Sequence, residues 1–183
     1  MDLKFKNIAI SGSVASGKGT LKNNLRTYLE PLGWSFASGG ELNRKQSNEF
    51  VSPSADKVSD EFNNNIEKRT EDLFLNKKHY VIEAWLAGWV AREMQDTLRV
   101  LLVCSVPAIR IDRVANRDKI SIVQAKKVIS LREEANRAVW VRLYGEQDFF
   151  APKIFQLVIN TYSSGPMETV GKVLDTLGYK QNS

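Results

Sequence analysis

Five short apolar runs punctuate the chain: "NIAIS" (7–11), "SFAS" (35–38), "HYVIEA" (79–84), "LRVLLVCS" (98–105) and "FQLVIN" (155–160). They are too short for helices and too continuously apolar for a surface, so they read as buried strands. Between them the apolar spacing becomes helical. Leu21, Leu25, Tyr28 and Leu29 share one helix face, with Gly33 placed to end it. Pro166 suits a first helical turn; Val170, Val173, Leu174 and Leu177 follow on one face, with Gly178 just beyond. Strands alternating with helices predict an α/β fold: a five-stranded parallel sheet with helices on both faces. Two segments break the alternation. Residues 39–78 are polar with no convincing strand, and residues 118–147 are long, charged and mostly helical. Each follows a strand-helix step, so both are expected at the carboxyl edge of the sheet, where open α/β folds bind ligands.

Bulk composition narrows the class. A chain of 183 residues, 43% hydrophobic and 26% charged, suits one globular domain able to bury a core. The net charge of +5 suits an anionic ligand but does not establish nucleic-acid binding, which is not expected. A single cysteine, Cys104, excludes an internal disulfide and a cysteine zinc site. Its setting in "RVLLVC" predicts a buried core thiol. No apolar run approaches the roughly 20 residues of a membrane span, and the N-terminus enters the first strand without a cleavable signal. A cytoplasmic protein with no membrane partner is expected.

Residues 12–18, Gly12-Ser13-Val14-Ala15-Ser16-Gly17-Lys18, fit G-x-x-x-x-G-K between a predicted strand and a predicted helix, the setting of a phosphate-binding P-loop. Glycines let backbone N–H groups approach a polyphosphate, and the helix N-terminus adds positive potential. Lys18 then reaches the outer phosphates as a point charge. The commonest loop continues with Ser or Thr, whose hydroxyl meets Mg²⁺; here Gly19 and then Thr20 follow. Glu83, at the end of a predicted buried strand, is placed to hold Mg²⁺ through water.

Three further places supply arginines. Arg69 sits in an apolar stripe with Phe62, Ile66 and Leu73. Either it snorkels or it is aimed at an anion in a cleft. Arg110, Arg113 and Arg117 follow i, i+3, i+7, one helix face, and call for an anion or an acidic partner opposite. Arg132 opens "LREEANRAVWVRLYG" (131–145).

"GKGT" (17–20) resembles the loop of adenylate kinases and their relatives. "SGGELNR" (38–44), "IEAWLAGW" (82–89) and "LVINT" (157–161) extend the resemblance to cytidylate kinases of the short archaeal type, over roughly residues 6–175. The resemblance implies a three-layer P-loop NTPase fold in a single domain, residues 1–183, with core 1–38, 79–117 and 148–183. It also implies an acceptor-binding insert at 39–78 and a short lid at 118–147. The implied activity is phosphoryl transfer from Mg·ATP to a nucleoside monophosphate, CMP or dCMP first. Lys18, Arg117 and Arg132 are then catalytic. Residues 12–20, Arg113, Asn160 and Thr161 bind ATP, and Ser38, Gly40, Arg44 and Arg69 bind the acceptor. Thr20 and Glu83 hold the metal, and the enzyme is expected to be monomeric.

The pattern is broken in places. Trp85 stands where the family has arginine, either stacking on a base or simply packing. Asn43 stands where the family has an aromatic. Val139 stands where a lid arginine seven residues after Arg132 is usual. Arg137 and Arg142 are candidate replacements, about 140° and 80° away around the helix. Two rival readings follow: a kinase for a neutral small molecule, and a kinase-like ATPase acting in assembly or regulation.

Overall fold

The first strand explains the architecture. β1 (Asn7–Ser11) is buried along its whole length, as a strand must be when helices cover both faces of a parallel sheet. In the computed structural model, which describes residues 3–44 and 60–180, the remaining strands are β2 (Ser35–Ser38), β3 (Tyr80–Glu83), β4 (Thr97–Val103) and β5 (Leu157–Asn160). They form one sheet in the order β2-β3-β1-β4-β5. Every pairing is parallel, with Ile8 opposite both Val81 and Leu98, and Val100 opposite Leu157. The five expected strands all form: β1 and β2 with the expected bounds, β3 and β5 shorter, and β4 starting one residue earlier and ending two sooner.

Alternation along β1 sorts its side chains. Ile8 and Ile10 join Leu21, Leu25 and Leu29 of α1 (Lys18–Leu29) and Val170, Val173, Leu174 and Leu177 of α7 (Pro166–Leu177) in the largest core cluster. Full burial of such side chains stabilises by about 1.5–3 kcal/mol each. Ala9 faces the other way, against Phe74, Ile82, Ala87 and Ala91. Phe74 belongs to α3 (Asp60–Asn76), Ile82 to β3, and Ala87 to α4 (Ala87–Val90), with Ala91 just beyond it. Ala9 is small because α4 lies close: the Gly88 N–H donates to Ser11 Oγ at 2.8 Å. A Cβ on Gly88 would lie 2.3 Å from the Phe155 ring.

Arg99, the polar residue inside the β4 run, is spent on structure. Its guanidinium donates to the carbonyls of Ile154, Ala91 and Met94. Cys104 departs from expectation. β4 stops at Val103, so the thiol lies beyond the strand, half-buried, with Sγ 3.6 Å from the Val106 carbonyl.

Among the described residues, the two off-pattern segments are largely helical. After β2 come α2 (Gly39–Arg44) and α3; after β4 come α5 (Pro107–Asp118) and α6 (Ile122–Tyr144). Ser121 starts α6 with a capping box, its hydroxyl accepting from Gln124 N–H while the Gln124 side chain accepts from Ser121 N–H. Val14 of the loop after β1 packs against Val114, Ala115, Ala125 and Ile129, fastening the α5–α6 pair to that loop. Among the described residues, no helix is long and apolar enough to cross a membrane.

Candidate active site

The loop between β1 and α1 emerges at the middle of the sheet, beside the point where the chain switches from β3 to β4 on the other side of β1. Gly12 is there for space: φ is +150°, and a Cβ would lie 2.4 Å from the Leu102 carbonyl oxygen and 2.5 Å from Ser16 Oγ. Gly17, at φ +101°, turns the chain into α1. Gly19 differs, because a Cβ there would meet nothing within 4 Å. The fold tolerates a side chain at 19, which would project into the cleft that Gly19 lines.

That cleft has a volume of about 880 Å³. Residues 14–20 form one wall, Ser38, Gly39, Gly40, Ile66, Glu67 and Thr70 another, and Glu83 and Trp85 its base. Arg113, Arg117 and Arg132 reach it from α5 and α6, and Thr161 from the end of β5.

Lys18 is half-buried and folds back on its own loop, donating to the carbonyls of Gly12 (2.7 Å) and Ser13 (2.9 Å). Its ammonium also lies 5.3 Å from the centre of the Trp85 ring. Burial pushes its pKa down to about 8; Glu83 pulls it up, and Arg132 and Arg110 push it further down. The Glu83 carboxyl is in turn pushed up by burial and drawn back by Lys18 and Lys22. Arg132 carries the most exposed need for a partner. Its Nε is buried without a hydrogen bond, and burial, then the neighbouring Arg117, lowers its pKa. A charge held that way is costly unless something anionic joins it.

The basic face of α5 resolves differently from a bare stripe of cations. Arg110 finds an acid across the helix pair, Glu133 on α6, and its Nε donates to Val14 O at 3.0 Å. Arg113 clasps the loop to the end of β5, donating to Ala15 O (3.0 Å), Thr161 Oγ1 (3.1 Å) and Thr161 O (2.9 Å). Thr161 Oγ1 donates to Ser16 O at 2.9 Å. Arg117 lies in a two-pronged pair with Asp118 (2.7 and 2.8 Å), an acid that helical spacing sets off the basic face.

On the other wall, Ser38 is a helix cap. Its hydroxyl accepts from Glu41 N–H at 3.1 Å, and the Glu41 carboxylate accepts from Ser38 N–H at 2.6 Å, a capping box that opens α2. Glu41 also pairs with Lys22 (3.3 Å), a buried lysine of α1. These contacts hold the Glu41 carboxyl below the usual range. Arg69 is half-buried and turned to α2, donating to the Leu42 carbonyl rather than lining the cleft. The side chains of Asn43, Arg44 and Phe62 lie outside the described residues.

Asn160 does not line the cleft either. Its amide bonds Ser105 Oγ (2.8 Å) and accepts from the N–H groups of Ser105 and Tyr162, stitching the ends of β4 and β5. Gly12 and Ser13, the first residues of the loop, are outside the lining. Trp85 lines the cleft and packs edge-on against Trp140, centroids 5.5 Å apart. Val139 is buried with Leu86, Trp89, Val90, Trp140 and Phe149. Neither Arg137, paired with Glu146, nor Arg142 lines the cleft.

Sequence reasoning missed Glu67, Thr70, Asn136 and Trp140, all in the cleft lining. Asn136 was findable, one turn on from Arg132 at i+4. The motif S-x-x-E at 38–41 signalled the cap.

For a divalent metal the donor set is sparse. Among the described residues there is no group of three or more His, Cys, Asp or Glu able to hold one. Glu83 and the exposed Thr20 hydroxyl, both lining the cleft, fit an ion that arrives with phosphates and keeps most of its waters.

A P-loop on a five-stranded parallel sheet, with a cationic cleft and a helical insert on each side, defines a P-loop kinase. The comparisons are specific. The profile of the cytidylate kinase-like family matches residues 24–163, and the chain belongs to that family. It is a nucleoside monophosphate kinase by class. A cytidylate kinase of Ignicoccus hospitalis is 34% identical over 179 residues, covering 91% of this chain and 98% of that one. Another, of Thermococcus sibiricus, is 33% identical over 170 residues, with 91% and 84% covered. Among solved structures, a gluconokinase of Sinorhizobium meliloti superposes with a TM-score of 0.59 at 13% identity, covering 97% of this chain and 94% of that one. That likeness speaks to the fold alone.

Proposed function

We propose that this chain transfers the γ-phosphoryl group of Mg·ATP to a nucleoside monophosphate, with CMP or dCMP as the preferred acceptor, and that it does so as a cytoplasmic monomer. The observation that carries the reading is Arg132: a half-buried side chain with a buried, unpartnered Nε, close enough to Lys18 to depress its pKa, on the wall of a cleft that the P-loop opens. A cation that depresses the Lys18 pKa and has no hydrogen-bond partner for its own Nε suits the charge of a phosphoryl group in flight. The cytidylate kinase relatives support cytosine as the base.

In this reading the chain has three parts: a core (1–38, 79–117, 148–183), an acceptor insert (39–78) and a lid (118–147). The backbone of residues 12–20 cradles the donor phosphates. Lys18 gives up its bonds to the Gly12 and Ser13 carbonyls and turns to them. Arg113 and Thr161, already clasped to the loop, flank the adenine, and Asn160 supports that edge from behind. On the insert, Gly40 lets the acceptor lie against α2, with Ser38 holding the helix start. Arg44 and Arg69 grip the acceptor phosphate, which requires Arg69 to leave the Leu42 carbonyl. Trp85 flanks the base. Glu83, through water, and Thr20 would hold Mg²⁺, which when bound neutralises charge on the transferring phosphates. No general base is needed, because a phosphate monoester is mostly dianionic at pH 7. Arg117 exchanges Asp118 for the phosphoryl group as the lid closes. Catalysis is then positioning and charge neutralisation.

Coupled ADP release measured with CMP, dCMP, UMP, AMP and GMP tests the proposal. Acceptor-dependent turnover led by CMP or dCMP is expected. ATP hydrolysis indifferent to all five refutes it and favours the ATPase rival.

A further inference from the structure

The insert side of the cleft contains a carboxyl group that phosphate binding has no use for. Glu67 of α3 lines the cavity among Ile66, Leu86, Trp85 and Trp140. A carboxylate repels phosphate, so one retained here serves a different part of the ligand. Its Oε2 is buried without a hydrogen bond, and the Tyr144 hydroxyl facing it from the end of α6 is likewise unsatisfied. Thr70, the nearest hydroxyl on the same helix, donates to the Ile66 carbonyl at 2.8 Å. A buried carboxyl whose facing protein group is a poorly aligned Tyr144 hydroxyl, in a lining it shares with Trp85 and Trp140, has hydrogen-bonding capacity left for a ligand.

Resting on the reading that the second ligand is a nucleoside monophosphate, we infer that Glu67 reads the hydrogen-bonding edge of the acceptor base, accepting from its exocyclic amino group and so selecting an aminopyrimidine over the oxo counterpart. Cytosine presents an amino donor at C4 beside the unprotonated N3. Uracil presents O4, an acceptor, beside N3–H. An ionised carboxylate accepts from the cytosine amino group and meets uracil O4 lone pair to lone pair. Burial raises the Glu67 pKa to about 7, so the protonated form is also populated near neutrality. That form serves both bases, donating to cytosine N3 or uracil O4 and accepting from the cytosine amino group or uracil N3–H, so the selection belongs to the ionised carboxylate.

The test compares kcat/KM for CMP, UMP and dCMP in the wild-type chain, Glu67→Gln, Glu67→Asp and Tyr144→Phe. Glutamine can turn its amide to either base, so Glu67→Gln is expected to lower the CMP:UMP ratio at least about tenfold, because sites built to hydrogen-bond discriminate strongly. The dCMP:CMP ratio and the KM for ATP stay unchanged. Glu67→Asp, which withdraws the carboxyl by one methylene, lowers the ratio as well and decides the matter if the glutamine variant does not fold. Tyr144→Phe leaves the ratio in favour of CMP. Equal losses with CMP and UMP would overturn the inference in favour of a strut between α3 and α6. A changed dCMP:CMP ratio at constant CMP:UMP ratio would overturn it in favour of ribose recognition. Wild-type turnover with none of the three acceptors overturns the kinase reading, and this inference with it.

Discussion

Replacing Val139 by arginine tests where the lid helix leaves the cleft. The resemblance to cytidylate kinases makes Val139→Arg look like a repair, since position 139 lies about 20° from Arg132 around the helix. It also lies about 10 Å further along the axis, and over that distance the surroundings change. Val139 is 2% exposed, inside a cluster with Leu86, Trp89, Val90, Trp140 and Phe149. The substitution forfeits about 1.5–3 kcal/mol of apolar burial and places a guanidinium among aromatic and aliphatic side chains, a cost of several kcal/mol that snorkelling only partly relieves. A net loss of about 4 kcal/mol is expected. For a chain of this size that lowers the melting temperature by roughly 8–16 °C. Val139→Ile, which keeps the chemistry, should cost under about 1.5 kcal/mol. Calorimetry on both variants, with kcat measured alongside, gives the answer. A Val139→Arg protein melting within about 2 °C of wild type, or turning over faster, would refute the placement of residue 139 in a core.

Other outcomes follow from the cleft. Lys18, with a pKa near 8 in the free protein, is charged below that pH whether or not phosphate is bound; above it, nucleotide binding must draw in a proton. The dissociation constant for ATP should therefore be nearly flat from about pH 7 to 7.5 and weaken by up to about tenfold per unit above 8; titration calorimetry finding no dependence up to about pH 9.5 would contradict the assignment. Arg132→Gln should lower kcat by about 10²–10³-fold while the melting temperature holds, since the buried Nε has no protein partner to lose. A large fall in stability would mean a structural role instead. Gly12→Ala should destabilise by about 1–3 kcal/mol, with the Cβ 2.4 Å from a carbonyl oxygen, whereas Gly19→Ala meets nothing within 4 Å and should melt as the wild type does. Thermal melts of the pair check both.

Local pattern carried far in this chain because its elements are locally encoded. A buried parallel strand needs continuous apolar residues, and an amphipathic helix needs a 3.6-residue stripe, so all five strands and the flanking helices were visible as runs and spacings. The P-loop was legible for the same reason: glycine spacing and the lysine act through the backbone of one short segment. Legibility fell where a side chain's partner comes from elsewhere. Arg110 needed Glu133 from α6, and Arg69 was aimed at the α2 backbone rather than at the cleft. Ser38 belonged to a cap. Cys104 fell outside its strand because β4 ends at Val103.

The sequence by itself therefore determined the class of fold, the phosphate loop and the kinase family, all of which rest on contiguous residues. Only the tertiary structure decided which charges converge. Lys18, Glu83, Arg113, Arg117 and Arg132 come from four different elements and meet because the sheet order brings the ends of β1 and β3 beneath the α5–α6 pair. It also decided that Glu67 of the insert lines the cleft with a buried carboxyl oxygen, and that the apparent gap in the pattern, Val139, is a core position. Burial and partnership are properties of the assembled packing, and no spacing along one helix contains them.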